Sequence, residues 1–302
     1  MRRLGHCVLF YWNRKEVSRV IVKAVQQIML GKVTRTEKET FTTLETIKFA
    51  GYDGIELNGF MIRPTGILVG ALTAAAGMPA GRGGAYDWAA LTREAGLKVV
   101  SLHEDLGTLK ADPEAVAQRA AELGTDKVVV TGMYRFDYTS RMALEGLCAD
   151  LNRCGARLRA SGVELLYHNH NVELCWLSEG GERSYEYILR ETDPEVVNFE
   201  FDSYWFAEAG ADAAEWMERL GGRMRLWHIN DRGSRQRGPS MTPILKCDSM
   251  ELGCGNMNLA RLTQQAKANG IQAVVLESHR NHVEHSAIKS IQCSAAYLNQ
   301  NF

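Results

Sequence analysis

Several features are missing from this chain of 302 residues, and each absence excludes a class of protein. No apolar run approaches the roughly 18 residues of a membrane helix, and no signal-peptide cleavage site follows the amino-terminal MRRLGHCVLFYWNRK. Thirty-five Lys and Arg against 36 Asp and Glu give a net charge of −1, so no positive field attracts nucleic acid or an anionic membrane. We therefore expect a globular protein that binds small molecules.

Cysteine is sparse and follows no pattern. The seven cysteines are odd in number and scattered, with neither a CxxC pair nor the spacing of a zinc knuckle. This usage indicates reduced thiols in a cytoplasmic protein, with each cysteine most simply a small core residue. No GxGxxG motif follows an early strand, which argues against a dinucleotide-binding sheet.

What the sequence does contain is a repeating unit of a helical stretch, a glycine and a short apolar strand that ends in polar residues. It occurs as FAG-YDGIELNG, EAG-LKVVSLHED, ELG-TDKVVVTG, ASG-VELLYHNH, LGG-RMRLWHIND and ANG-IQAVVLESH. Glycine behind a helix is typical of a left-handed cap, because only glycine takes positive φ without a steric penalty. The pattern predicts helix ends at Gly51, Gly96, Gly124, Gly162, Gly222 and Gly270.

Two further segments, LGHCVLFY near residue 8 and VVNFEFDSYW near residue 200, bring the predicted strands to eight. Strands that alternate with helices favour parallel pairing, and eight such units predict a closed (β/α)8 barrel as a single α/β domain over residues 1–302. A doubly wound sheet is the alternative. Long loops are expected at about 59–85 and 231–256; the first either covers the barrel mouth or is a surface insertion.

Polar residues recur at one depth on the predicted strands. His168 and His228 each lie six residues after a cap glycine, and His103 and Glu277 each lie seven after one. Asp202 in FEFDSY lies at the same depth. Because the carboxyl ends of barrel strands form the catalytic face, these imidazoles and carboxylates should converge. A mixed N/O set of this kind suits Mn²⁺, Mg²⁺, Co²⁺, Zn²⁺ or Fe²⁺, whereas a single strand-end histidine is more often structural.

An ordered set of segments carries a family resemblance. YHNHNVEL, FEFDSYWFAEAGAD, LWHINDRG, ELGCGNMNLARL, VVLESH and SIQCSAAYL resemble the xylose-isomerase-like superfamily of sugar (phosphate) isomerases and epimerases, in its YHNH-bearing branch. The match runs from about residue 45 to the end of the chain. The resemblance implies one divalent metal, with Mn²⁺ expected first, held by His168, Asp202, His228 and Glu277.

The chain also departs from that family. Many relatives have glutamate at the position of His168, where it serves as both ligand and acid or base. Glu173, five residues further on, could reach back instead, so the strand-five ligand stays open between these two residues. Cys254 replaces the usual acidic residue between two glycines.

The chemistry of the family is proton removal from a carbon next to a carbonyl, where a divalent cation stabilises the enediolate. Glu277 is the first choice of base, with ligation alone as its simpler role. His103, His170 and Glu173 are candidates for acid and base work; the two histidines could equally orient the ligands.

Substrate binding is expected from residues around the predicted mouth. Trp205 could stack on a sugar, although core packing is its simpler role. Glu56, Asn58 and Glu104 lie near the ends of strands two and three and could bind hydroxyls. Arg232, in a loop with two further arginines, suits an anionic substrate or is simply solvated.

We expect a metal-dependent sugar isomerase or epimerase that binds a small-molecule sugar, does not bind nucleic acid or membrane, and could assemble as a homo-oligomer or with a small partner subunit. The alternative is β-elimination on a keto-sugar, as in inosose dehydratases or C-glycoside deglycosidase catalytic subunits. An apurinic endonuclease is disfavoured by the net charge, and a non-catalytic barrel by the intact donor set.

Overall fold

Eight parallel strands close into a barrel in the computed structural model, which describes residues 20–63, 86–236 and 238–302. The barrel strands are β1 (Val22–Gln26), β2 (Gly54–Asn58), β3 (Lys98–Glu104), β4 (Lys127–Thr131), β5 (Glu164–His168), β6 (Val197–Asp202), β7 (Met224–Ile229) and β10 (Ala273–Leu276); β8 (Asp231–Gly233) and β9 (Asp248–Met250) form a separate antiparallel ribbon. Pairing of β1 with both β2 and β10 closes the ring. The predicted (β/α)8 barrel is confirmed.

Helices follow the strands and surround the barrel. The α-helices span Glu37–Phe49, Gly59–Ile62, Trp88–Glu94, Leu106–Ala111, Pro113–Glu122, Arg141–Ala160, Ser184–Glu191, Ser203–Glu208, Ala213–Leu220, Leu259–Asn269 and Ala287–Asn301. Short 3₁₀ turns span Gln27–Leu30, Val172–Leu174, Gly221–Arg223 and Val283–His285. Among the described ranges, no helix is long and apolar enough to cross a bilayer.

Local sequence signals account for the helix boundaries. The Asp112 carboxylate accepts a hydrogen bond from the Ala115 backbone N–H, and Pro113 begins the helix, which are common features of a helix start. Five of the predicted cap glycines have positive φ: Gly51, Gly96, Gly124, Gly162 and Gly270. The sixth prediction is wrong by one residue, because Gly221 has φ +51° and Gly222 is outside the left-handed region.

The first barrel strand differs from the prediction. Val22–Gln26 occupies that place, between β2 and β10, so the prediction that LGHCVLFY supplies the first barrel strand is wrong. Residues 1–19 themselves lie outside the described residues. The KAVQQIML segment has no glycine cap in front of it, and this is why the repeating unit did not reveal the strand.

The barrel interior has an apolar floor. Val129, Leu166, Leu226 and Ala273 come from four strands, are buried, and form a cluster separate from the larger core between strands and helices. The partly buried Val22 and Val100 pack against this cluster. Above it, toward the carboxyl ends of the strands, the inward-facing side chains become polar.

The structure describes most of the second predicted long loop but little of the first. Residues 64–85 of the first lie outside the described residues. The second contains the β8–β9 ribbon, where the Asp231 carboxylate accepts hydrogen bonds from the backbone N–H groups of Gly253, Gly255 and Met257. A Cβ on Gly255 would collide with Asp231, so glycine is required for this close approach.

Candidate metal centre

Strand β6 shows how the barrel places polar side chains. Its residues alternate, with Phe199 and Phe201 packed among aromatic side chains of the surrounding helices. Side chains point to opposite faces of a strand at successive positions. Asn198, Glu200 and Asp202 therefore face the barrel interior, with Asp202 nearest the mouth.

Four side chains converge at the mouth. His168, Asp202, His228 and Glu277 each offer one ligand atom, and these atoms all lie within 4.8 Å of one another. All four side chains are buried. His228 Nδ1 lies 2.9 Å from Glu277 Oε2 and 3.9 Å from Asp202 Oδ2. We call these four residues the mouth group.

Asp202 is fixed by its neighbours. Its Oδ1 accepts hydrogen bonds from the backbone N–H groups of Tyr204 and Trp205, at 2.8 and 3.3 Å, and so caps the following helix. The Asn169 carboxamide bonds to both the N–H and the carbonyl of Asp202, each at 3.0 Å. Asn169 thus continues the hydrogen bonding between β5 and β6 through its side chain. Because Oδ1 serves as the helix cap, Oδ2 is the oxygen of Asp202 that lies toward His228.

The pKa values of the two mouth-group carboxyl groups are shifted in opposite directions. Burial and the adjacent Glu277 carboxylate raise the pKa of Asp202 well above its ordinary value. Burial also disfavours the charged form of Glu277, but His279 and His228 outweigh it and hold the Glu277 pKa well below its usual range. Two buried carboxylates with neutral or cationic imidazoles fit a divalent cation, which removes the repulsion between them.

Three further buried side chains adjoin the mouth group. Glu56, His103 and Glu200 are buried, and we call them the inner group. His103 Nε2 lies 3.0 Å from Glu56 Oε1 and 2.9 Å from Glu200 Oε2. Burial alone would lower the His103 pKa, but these two carboxylates raise it to about 10. His103 is therefore an imidazolium held between two carboxylates.

Glu200 is not among the residues predicted from their depth on the strands. It precedes Asp202 by two residues, and the period of two in FEFD would have placed both carboxylates on the same face. Together with His103, His168 and His228, Glu200 forms a second set of potential ligands whose atoms lie within 4.8 Å of one another. Among the described residues, Glu200 Oε1 has no hydrogen-bond partner.

Three aromatic rings stand beside the mouth group. The Trp205 ring lies 5.5 Å from the His170 ring and 5.9 Å from the His279 ring, measured between centroids. His279 Nε2 is 3.6 Å from Glu277 Oε1. Burial lowers the His170 pKa to about 3, so its imidazole is neutral. His279, which sequence reasoning did not select, sits in LESHR only two residues after Glu277.

Glu173 is turned away from the mouth group. Its Oε1 accepts a hydrogen bond from the Tyr167 hydroxyl at 2.8 Å, and its Oε2 accepts one from the His170 backbone N–H at 2.9 Å. Burial raises its pKa to about 7. Of the two candidates for the strand-five ligand, the structure places His168 among the converging donors.

The remaining predicted substrate-binding residues already have protein partners. Asn58 exchanges side-chain hydrogen bonds with Gln26. Glu104 is buried and ion-paired with Arg63 and Arg119, at 2.6 and 3.0 Å. Arg232 pairs with Glu208, and Arg235 with Glu251; Arg237 lies outside the described residues. None of these pairings involves the mouth group.

Comparison with known proteins identifies the fold family. Residues 44–299 match the sequence model of the family described as xylose isomerase-like TIM barrel. An inosose dehydratase from Mesomycoplasma hyopneumoniae is 37% identical over 95 residues, a match that covers 31% of this chain and 30% of that enzyme.

Solved structures resemble the barrel over nearly its whole length. A sugar phosphate isomerase/epimerase from Parabacteroides distasonis has a TM-score of 0.72 at 22% identity and covers 93% of this chain and 95% of its own. The IOLI protein, solved with a zinc atom, has a TM-score of 0.64 at 16% identity, over 93% of this chain and 99% of its own. At these identities the likeness establishes the fold alone.

Proposed function

Because the chain belongs to the xylose isomerase-like TIM barrel family, we propose that it is a divalent-metal-dependent sugar isomerase or epimerase. The observation that supports this most is the mouth group, in which four buried donor side chains from four strand ends converge. Buried carboxylates that face each other are costly without a counter-charge. A function that uses a cation accounts for their presence.

His168, Asp202, His228 and Glu277 would hold the metal, with Mn²⁺ as our first expectation. Two imidazole and two carboxylate donors suit Mn²⁺, Co²⁺, Zn²⁺ and Fe²⁺, and Mg²⁺ less well because it prefers oxygen ligands. When bound, the cation supplies the electrophile for proton removal next to a sugar carbonyl.

Glu277 is our proposed base. Its Oε2 faces His228 Nδ1 at 2.9 Å, and its Oε1 is 3.6 Å from His279. The contacts with these imidazoles favour the carboxylate, which is the form that accepts a proton. Glu173, the other carboxylate considered for proton transfer, fits better as a support for the His170 backbone.

A second group is needed to return the proton, and two side chains beside Trp205 are candidates. The His170 and His279 rings lie 5.5 and 5.9 Å from the Trp205 ring, measured between centroids, so each could reach a sugar stacked on the indole. His170 is neutral and half-buried, and the His279 side chain is 30% exposed. His103 fits the second transfer less well because both carboxylates of the inner group occupy its Nε2.

β-Elimination on a keto-sugar is the second candidate. The local match to an inosose dehydratase favours it, and both reactions begin with the same proton removal. They diverge in where the next proton goes: to carbon in an isomerase or epimerase, and to the departing β-substituent in a lyase.

Proton exchange in deuterated water tests the proposal. Purified protein loaded with Mn²⁺ is incubated with ketoses and with 3-keto-glycosides, and NMR or mass spectrometry then follows deuterium uptake. We expect exchange at the carbon next to the carbonyl. Release of the β-substituent would assign the lyase reaction, and its absence alongside exchange would assign the isomerase or epimerase.

Glu277→Gln is the matched variant, because it keeps the size of the side chain and removes the basic carboxylate. It should lose deuterium uptake by about three orders of magnitude. The proposal fails if the wild-type protein binds no divalent metal. It also fails if loaded protein exchanges no substrate proton.

A further inference from the structure

The two carboxylates of the inner group contact both imidazoles of the mouth group. Glu200 Oε2 lies 2.9 Å from His103 Nε2, 3.1 Å from His168 Nδ1 and 3.2 Å from His228 Nε2. Three imidazole nitrogens thus surround one carboxylate oxygen. His228 Nε2 is also 2.5 Å from Glu56 Oε2. Neither Glu56 nor Glu200 has any exposed surface.

This arrangement assigns the two nitrogens of each shared ring. His228 directs Nε2 to the inner carboxylates and Nδ1 to Glu277. His168 directs Nδ1 to Glu200, which leaves its Nε2 for the mouth group. The two histidines therefore present opposite nitrogens to the same centre.

An imidazole that donates a lone pair to a cation carries its proton on the other nitrogen. That proton needs an acceptor, and a carboxylate acceptor both fixes the ring orientation and increases the basicity of the ligating nitrogen. Glu200 is placed to accept from His168, and Glu56 with Glu200 to accept from His228. Among the described residues, the hydrogen-bond partners of the inner carboxylates are these N–H groups, His103 and the Ser101 hydroxyl, which donates to Glu56 Oε1.

We propose that Glu200 is a positioning residue of the metal site. It holds the proton on His168 Nδ1, and with Glu56 the proton on His228 Nε2, so that His168 binds the cation through Nε2 and His228 through Nδ1. This inference rests on the proposed metal-dependent function.

A second cation in the inner group is the competing explanation. It would use His103, His168, Glu200 and His228, whose ligand atoms are close enough. However, His168 and His228 would then have to bind two cations at once, each as an imidazolate that has lost both N–H protons. Neutral imidazole is the usual metal-ligating form, so we favour the positioning role.

Metal binding by the full-length protein tests the inference. Calorimetric titration of the metal-free protein with Zn²⁺ should give one equivalent for wild type. Glu200→Gln keeps the shape but removes the charge of the acceptor, and its Kd should rise about 10- to 100-fold. Glu164→Gln, at the opposite end of the barrel, is the matched control, and its Kd should stay within threefold of wild type.

Imidazole NMR supplies a measurement that does not depend on any variant folding. In ¹⁵N-histidine wild-type protein loaded with Zn²⁺, two-bond correlations should show the proton on Nδ1 of His168 and on Nε2 of His228. Assignment of the opposite nitrogens would overturn the inference, and so would two bound equivalents of Zn²⁺.

The outcomes separate this inference from the proposed function. One equivalent bound by wild type with an unchanged Kd in Glu200→Gln overturns the positioning role and leaves the metal site in place. Absence of any binding by wild type removes the proposed function itself, and the inference with it.

Discussion

The two ends of the same barrel neutralise their carboxylates in different ways. At the amino-terminal end, the Glu164 carboxylate accepts hydrogen bonds from Arg225 and Asn198, at 2.8 and 2.7 Å, and is 26% exposed. At the mouth, Asp202 and Glu277 are buried and adjoin each other; their charged or ionisable neighbours are imidazoles, and Asp202 also accepts two backbone hydrogen bonds.

The difference lies in what neutralises the carboxylates. Arginine is permanently charged, so Glu164 and Arg225 form a self-contained pair. In the described part of the chain, no arginine or lysine pairs with Asp202, Glu277 or the two inner carboxylates. An ion pair at one end supports folding, whereas at the other end the proposed cation would complete the charge pattern.

The largest effect is expected from a substitution in the mouth group. Asp202→Asn removes a proposed metal ligand but keeps the helix cap, because Asn caps helices as well as Asp does. We expect the metal Kd to rise by at least about 100-fold and substrate turnover to fall by about 1,000-fold. Without metal, the variant should unfold at a higher temperature than wild type, since the repulsion between Asp202 and Glu277 is gone.

Glu164→Gln is the counterpart at the amino-terminal end. It should lower the free energy of unfolding by at most about 1 kcal/mol, the range of a partly exposed ion pair, and leave turnover and metal Kd unchanged. Equal effects of both variants on metal binding would show that the two ends do not differ in the way described.

Metal addition should have the next largest effect. Wild-type protein at a Mn²⁺ concentration of 100 times Kd should gain about 2.7 kcal/mol of stability over the EDTA-treated protein. Differential scanning calorimetry measures this as a rise in Tm. The rise should persist in Glu164→Gln and be nearly absent in Asp202→Asn at the same concentration; no rise in wild type would contradict a metal at the mouth.

The remaining effect concerns Glu173. Its folded-state pKa of about 7 lies above its ordinary value of 4.5 because it is buried, so the folded state holds a proton that the unfolded state has released. Stability conferred by that proton is lost as pH rises from about 4.5 through about 7.

Glu173→Gln should weaken this pH dependence. Urea unfolding in EDTA at pH 5 and pH 8 measures the loss of stability in both proteins, and the wild-type loss should exceed that of the variant by about 2 to 3 kcal/mol. Parallel losses would show that Glu173 stays ionised in the folded protein. Glu164→Gln, a change of the same type at an ion-paired site, serves as the control.

The repeating pattern predicted the barrel because strand and helix alternate with a glycine at each junction. It failed at Val22–Gln26, where no glycine precedes the strand, and at Gly222, where two adjacent glycines left the cap position open between them. Local signals of this kind identify elements that carry them and overlook those that tertiary pairing alone defines.

The mouth group could be predicted because its members lie at one depth on their strands. The partners of Glu104 could not, since Arg63 and Arg119 come from distant segments and only the folded chain brings them together. The same holds for the inner group. Glu200 could have been selected from the alternation in FEFD, but its three imidazole neighbours lie on β3, β5 and β7.

The apolar floor of Val129, Leu166, Leu226 and Ala273 bears on the order in which a metal ion and a sugar would bind. With hydrocarbon packed across the interior below the histidines, ions and sugars must use the same opening, at the opposite end. A sugar seated on Trp205 would then stand in the path of an incoming cation. With the proposed metal and sugar, loading would therefore run in sequence, metal first and sugar second, and a sugar already in place should slow both the uptake and the loss of the ion.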